Sequence, residues 1–321
     1  MAVSVRNENE YEDLLSLWSD LESGLGIILT NPSNTQEFAH RVLQYDRWMQ
    51  SLMQRDADVG LYLLFQLASN SPVGYSASHA LVCAVLCHLI STELAIAPKE
   101  RDSLVHAALT MNIAMTSLQD ELAKQADKPT PVQQEAIRGH STKGAMMLAN
   151  LGVADDDWLD IVSAHHDDSQ DHVVLQQLPT VARLTRILKV VDRYSAMVSP
   201  RVSRTGRSTV ESVRSIMAWA SSKTDEVGNA LVRAVGQCPP GTYVRLENEA
   251  LAIVVRRSGT PNQPFVAVLS RVDGNMLPSP LLHSTANRAP RIRSALEASA
   301  VRARLNHFQI LRLGAYAAQH G

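Results

Sequence analysis

Apolar residues recur at helical spacing from the beginning of the chain. Tyr11, Leu14, Leu15, Trp18, Leu21 and Leu25 form one stripe, and Phe38, Val42, Tyr45, Trp48, Met49 and Leu52 form a second beyond the break at Asn31-Pro32-Ser33-Asn34. A third short helix is predicted over Val59 to Ala68, interrupted by Ser71-Pro72-Val73-Gly74. Core packing is the default reading of such stripes. In the middle, Thr130-Pro131-Val132-Gln133 combines an N-cap threonine, proline in the first turn and a glutamine that closes a capping box. That helix should run to about Gly152. A second is predicted from Asp155-Asp156 to His165-His166, and a longer one from Pro179-Thr180 to Ser199-Pro200. Two more are predicted over Thr209 to Ala220 and Asp225 to Val235.

At Cys238-Pro239-Pro240-Gly241 the period changes. Tyr243 to Leu246, Ala252 to Val255 and Phe265 to Leu269 read as three short strands, with a turn at Asp273-Gly274. The end, Arg288 to Arg312, reads as an arginine-rich amphipathic helix whose safest role is a solvated face. The predicted organisation is therefore an N-terminal helical segment (1–70), a helical domain (71–237), a small β element (238–285) and a basic C-terminal helix (286–321).

Composition narrows this only a little. With 321 residues, 45% hydrophobic and 19% charged, the chain can bury a large core, and a net charge of −2 argues against a surface that coats nucleic acid. Unbroken apolar runs such as Leu61 to Phe65 are too short to cross a bilayer, so no transmembrane segment is expected. Cys83, Cys87 and Cys238 are odd in number, which suits a reducing cytoplasm.

The chemistry-bearing residues are His79, His140, the doublet His165-His166, and Asp192, at intervals that suit one ligand set gathered from several helices. In order and in helix context, Tyr75 to His79, Ile137 to His140, Ala164 to Asp167 and Ala182 to Asp192 resemble the HD-GYP branch of the HD superfamily of metal-dependent phosphohydrolases. Gly241 to Leu246 is similar to a β tail that follows this domain. The resemblance covers about Tyr75 to Asn275. It implies a mainly α, HD-domain-like bundle acting on the bacterial second messenger cyclic di-GMP, with those five residues as metal ligands. Where the family writes A-A-x-x-H-D-x-x-K, this chain reads Ala107 to Met115, with Met111 and Asn112 in the His-Asp slot and Met115 in the lysine slot. No Gly-Tyr-Pro follows the doublet.

These departures have physical consequences. Asparagine is neutral and bridges two cations poorly, and a thioether is a poor partner for hard ions. A binuclear centre of the family's type is therefore not expected. A mononuclear one, iron, manganese or zinc on His140, His165 and His166, stays open, as does no metal at all. His79 and Asp192 would add ligands to it or orient a histidine. Cys83 follows His79 by one helical turn and could chelate a soft metal with it, although a core role is the default. Arg183, Arg186 and Arg201 could hold phosphates if a nucleotide enters. The leading expectation is a catalytically impaired signalling protein acting through protein contacts, a diguanylate cyclase or a second copy of itself among them. The alternatives are a working mononuclear phosphodiesterase and an HDOD-like scaffold with no ligand set.

Overall fold

Each predicted helical stripe finds a partner. The computed structural model describes residues 8–70, 74–169, 173–199, 202, 208–219, 226–260, 262–286, 288–298, 301 and 305–320. Helices α1 (Glu8–Thr30), α2 (Phe38–Arg55) and α3 (Ala57–Asn70) cover one side of the bundle. Leu14, Trp18, Leu21 and Leu25 of α1 and Phe38, Val42, Met49 and Leu52 of α2 are buried. They join the same hydrophobic core as the helices that follow.

The centre is α4 (Tyr75–Glu93), packed against α1, α3, α5 (Pro98–Thr110), α6 (Thr116–Lys124), α9 (Thr180–Val198) and α11 (Glu226–Val235). A helix that is apolar all round belongs inside. Among the described residues α4 is the one helix long and apolar enough to cross a membrane, and 78% of that stretch is buried in the fold. Ser76, Ser78 and His79 on one side and His88 on the other limit its longest unbroken apolar run to Ala80 to Cys87, so run length alone does not reveal it. Helices α7 (Pro131–Asn150) and α8 (Asp156–Ala164) pack on each other, and α8 also lies on α5 and α9. The capping box at Thr130 and Gln133 forms as expected, and Asp155 caps α8 through the Trp158 N–H. Helix α10 (Thr209–Trp219) rests on α9 and α11.

Beyond Cys238 lies a five-stranded antiparallel sheet of order β4-β3-β2-β1-β5, comprising β1 (Tyr243–Leu246), β2 (Leu251–Arg256), β3 (Phe265–Ser270), β4 (Met276–Ser284) and β5 (Ile292–Ala295). Tyr243, Ile253, Val255, Ala267 and Leu269 face the main core. Val244, Leu246, Ala252, Val254 and Val266 form a second small cluster on the opposite face. Arg256 and Arg257, at and after the end of β2, pair with Asp56 and Asp58 at the α2–α3 junction and tie the sheet to the helices. Gly241 enters the sheet at φ +92°, and a Cβ there would meet Phe65 Cβ at 2.9 Å, so the close approach of this turn to α3 requires glycine.

Two expectations fail at this end. The arginine-rich segment is not one helix from Arg288 to Arg312. It supplies β5 and, further on, α12 (His307–His320). After Ala289-Pro290, Ile292 packs on the small cluster while Arg291 and Arg293 stay exposed. The strand count is five rather than three. Pro278 and Pro280 hid β4, which tolerates them because it is an edge strand.

Candidate metal centre

The histidines of α7 and α8 meet where the C-terminal end of α8 reaches the middle of α7. The donor atoms of His140, His165 and His166 all lie within 4.8 Å of one another. His140 and His165 are each only 1% exposed, whereas His166 faces solvent. The doublet follows the last turn of α8, where the helix dipole favours positive charge.

The buried pair is polarised by its backbone. His140 Nδ1 lies 2.5 Å from the Ile137 carbonyl and His165 Nδ1 lies 2.7 Å from that of Val162. A carbonyl can only accept, so each Nδ1 carries the proton and donates it. Both Nε2 atoms then present lone pairs, and they stand 3.1 Å apart. Burial, reinforced by the neighbouring His166, holds both rings below the ordinary imidazole value, His165 at about 4, so neither readily takes a proton to relieve the opposition. A cation bonded to both would resolve it: bonds of 2.0–2.1 Å at a tetrahedral angle separate two nitrogens by about 3.3 Å. The donor chemistry and spacing therefore fit a divalent ion, with the carbonyls acting as the partners that fix the tautomer.

His79 and Asp192 do not join this set. His79 Nε2 sits 2.8 Å from Asp192 Oδ1, and with Cys83 these two form a second group within 4.8 Å. Burial would raise the Asp192 pKa, but the His79 hydrogen bond and the charges of His79, His165 and His166 outweigh it and pull the carboxyl to about 2. The five-residue set expected from the sequence is thus divided between two neighbouring donor groups. Asp192 also lines an open cleft of about 270 Å3 with His166, Asp168, Lys189 and Arg193.

The replaced slot looks elsewhere. Met111 is buried in the core and Asn112 half-buried, and both line a space of about 10 Å3 with Ser76, Ala80 and Gln119, room for roughly one water. Met115 closes the 3-10 turn Ile113–Met115 that leads into α6.

Of the arginines offered as phosphate contacts, Arg183 Nη2 donates to both carboxylate oxygens of Glu100 and Arg186 donates to the Val173 carbonyl. Neither lines the cleft, and Arg201 lies outside the described residues. The cations at the cleft are Lys189 and Arg193. Lys189 donates to the Asp167 carbonyl and to Asp168, which holds the segment after the doublet against α9. The spacing 189, 192, 193 marks one face of α9 and could have identified both from the sequence.

The cyclic di-GMP phosphodiesterase PA4108 of Pseudomonas aeruginosa is 25% identical to the chain over 249 residues, which are 77% of this chain and 57% of that protein. The chain thus matches somewhat more than half the length of that relative. The HD-domain family model matches residues 63–227, from α3 to the start of α11, and stops short of the sheet. That match spans half of the sequence and includes every histidine and carboxylate of both donor groups, and on it the chain belongs to the HD-domain family.

Proposed function

We propose that this chain acts in cyclic di-GMP signalling as a metal-binding HD-domain protein with impaired hydrolysis. In this reading one divalent ion is held by His140, His165 and His166, and the output is ligand binding or protein contact rather than turnover. The observation that carries it is the pair of opposed Nε2 atoms 3.1 Å apart in a buried setting; in sequence, Met111 and Asn112 stand where the family writes His-Asp. Two-metal hydrolysis clamps the attacking and leaving oxygens between cations. No carboxylate stands at Asn112 to bridge such a pair, and no ammonium at Met115 to meet charge on the phosphate. Losing one such charge-stabilising group costs about 10²–10³ in rate. The resemblance to a cyclic di-GMP phosphodiesterase supports the ligand class.

A second reading, a working mononuclear phosphodiesterase, draws support from the cleft, where Lys189 and Arg193 stand beside His166 and Asp192. Metal analysis, calorimetry with cyclic di-GMP and a hydrolysis assay on one preparation separate the two. The expected result is about one equivalent of zinc, iron or manganese at this site, lost in His165→Ala, with nucleotide binding and no turnover. Metal-dependent turnover would establish the second reading. A protein without metal and without nucleotide binding would leave a scaffold of the HDOD kind.

A further inference from the structure

Cys83 is the donor that the three-histidine reading leaves unused. It lies on α4 one turn after His79, so both side chains share a face of a buried, rigid helix. Its Sγ stands 3.7 Å from His79 Nε2, the same nitrogen that faces Asp192 Oδ1 at 2.8 Å. We infer that His79, Cys83 and Asp192 form a second cation site, selective through its thiolate for a borderline-soft divalent ion, zinc. This extends the metal-binding reading above to a separate donor set, and it holds or fails independently of the three-histidine ion.

The geometry is close to that of a filled site. Zinc–sulfur and zinc–nitrogen bonds of about 2.3 and 2.0 Å at a tetrahedral angle separate the two ligand atoms by about 3.5 Å. The observed sulfur–nitrogen distance of 3.7 Å needs almost no adjustment. Asp192 would retreat by roughly half an ångström, exchanging its hydrogen bond for a metal bond. Its side chain, 23% exposed and lining the 270 Å3 cleft, gives the site a route to solvent.

Charge and ligand type select the ion. A thiolate and a carboxylate together cancel the two charges of the metal, which a buried site requires. Sulfur favours zinc over magnesium, calcium or manganese. On binding, the Cys83 thiol proton and the His79 Nε2 proton leave for solvent, and the imidazole keeps its proton on Nδ1. That nitrogen has no hydrogen-bond partner among the described residues, so the ring is anchored only from the side of the cluster. Three protein ligands leave a fourth position open toward the cleft.

X-ray absorption of the zinc-loaded full chain tests this, together with the near-ultraviolet thiolate-to-metal band of the cobalt-substituted protein. Wild type should show a sulfur neighbour at about 2.3 Å. The signal should persist in Cys238→Ala and His165→Ala and vanish in Cys83→Ala, with the stoichiometry falling by one ion. Zinc bound only through nitrogen and oxygen in wild type, or sulfur surviving in Cys83→Ala, overturns the inference while leaving the three-histidine reading intact. Zinc bound through sulfur, with a zinc stoichiometry that His165→Ala leaves unchanged, does the reverse. If Cys83→Ala does not fold, the wild-type and Cys238→Ala spectra decide the matter, because Cys87 lies outside the donor set.

Discussion

Two of the buried histidine clusters in this fold differ in how their polar atoms are satisfied. In one, Asp46 of α2 receives both terminal nitrogens of Arg101 at 2.7 Å and His106 Nε2 at 3.2 Å, while Arg101 Nε donates to His88. Every contact there joins a donor to an acceptor. In the other, His140 and His165 aim lone pairs at each other. The first cluster is complete and ties α2 to α4 and α5; the second needs something from outside. Burial of a histidine therefore does not separate structure from site. Complementarity of its neighbours does.

The largest effect should come from breaking the complete cluster. Asp46→Ala removes the buried carboxylate of a nearly buried guanidinium, leaving it the half-exposed Asp102, and should destabilise the protein by about 3–5 kcal/mol, measured by urea unfolding of the metal-free chain. His165→Ala should cost far less in the same assay, because it relieves an opposition. Equal losses at the two positions would erase the distinction.

Zinc should separate the clusters next. An ion bound only by the folded state raises stability by about 2.7 kcal/mol at a hundredfold excess over its Kd. Wild type should show that gain as a higher unfolding midpoint. Asp46→Ala should retain it from a lower baseline, and His165→Ala should lose the part owed to the three histidines.

Acid acts on the complete cluster with a definite sign. Burial raises the Asp46 pKa, but the hydrogen bonds and charges of His106 and Arg101 outweigh it and hold the carboxyl at about 2. A carboxyl depressed in the folded state contributes its stability in full above the unfolded value near 3.8 and loses it as pH falls through 2. The difference in stability between wild type and Asp46→Asn should therefore shrink by about 2 kcal/mol from pH 5 to pH 2. A difference independent of pH would mean that Asp46 titrates normally in the fold.

Much of this was legible before any coordinates, for physical reasons that vary along the chain. The stripes of α1 and α2 are readable because each helix buries a single face, and the Thr130 cap because its signature is local. Periodicity assigns a residue to a face but carries no distance between helices. It therefore could not divide the five ligand candidates into two groups, nor show that Glu100 already occupies Arg183. Cys83 was readable as a neighbour of His79, whereas Asp192, which makes the pair a trio, arrives from α9, more than a hundred residues on. At the C-terminus, a short alternating strand and a charged helix surface share a composition rich in arginine. There only the pairing of β5 with β1 decides between them.

The smallest effect tests how the incomplete cluster is held in register. The segment after the doublet is drawn to α9 by Lys189, which donates to the Asp167 carbonyl at 2.9 Å and to Asp168 at 2.6 Å. Lys189 holds the residues that follow the doublet, so its influence on a metal would run through the position of His165 and His166. Partners of this kind change metal affinity by about 10- to 100-fold when removed. Lys189→Met, which keeps the long apolar stem, should weaken zinc binding in calorimetry by about tenfold, or about 1.4 kcal/mol. The stability of the metal-free protein should move little, since one partner of the pair, Asp168, is well exposed. The sulfur signal of the zinc-loaded protein should persist, because His79 and Cys83 stand on α4. An unchanged affinity would mean that the carbonyls of Ile137 and Val162 alone orient the two rings, and that the tether from α9 serves only the cleft.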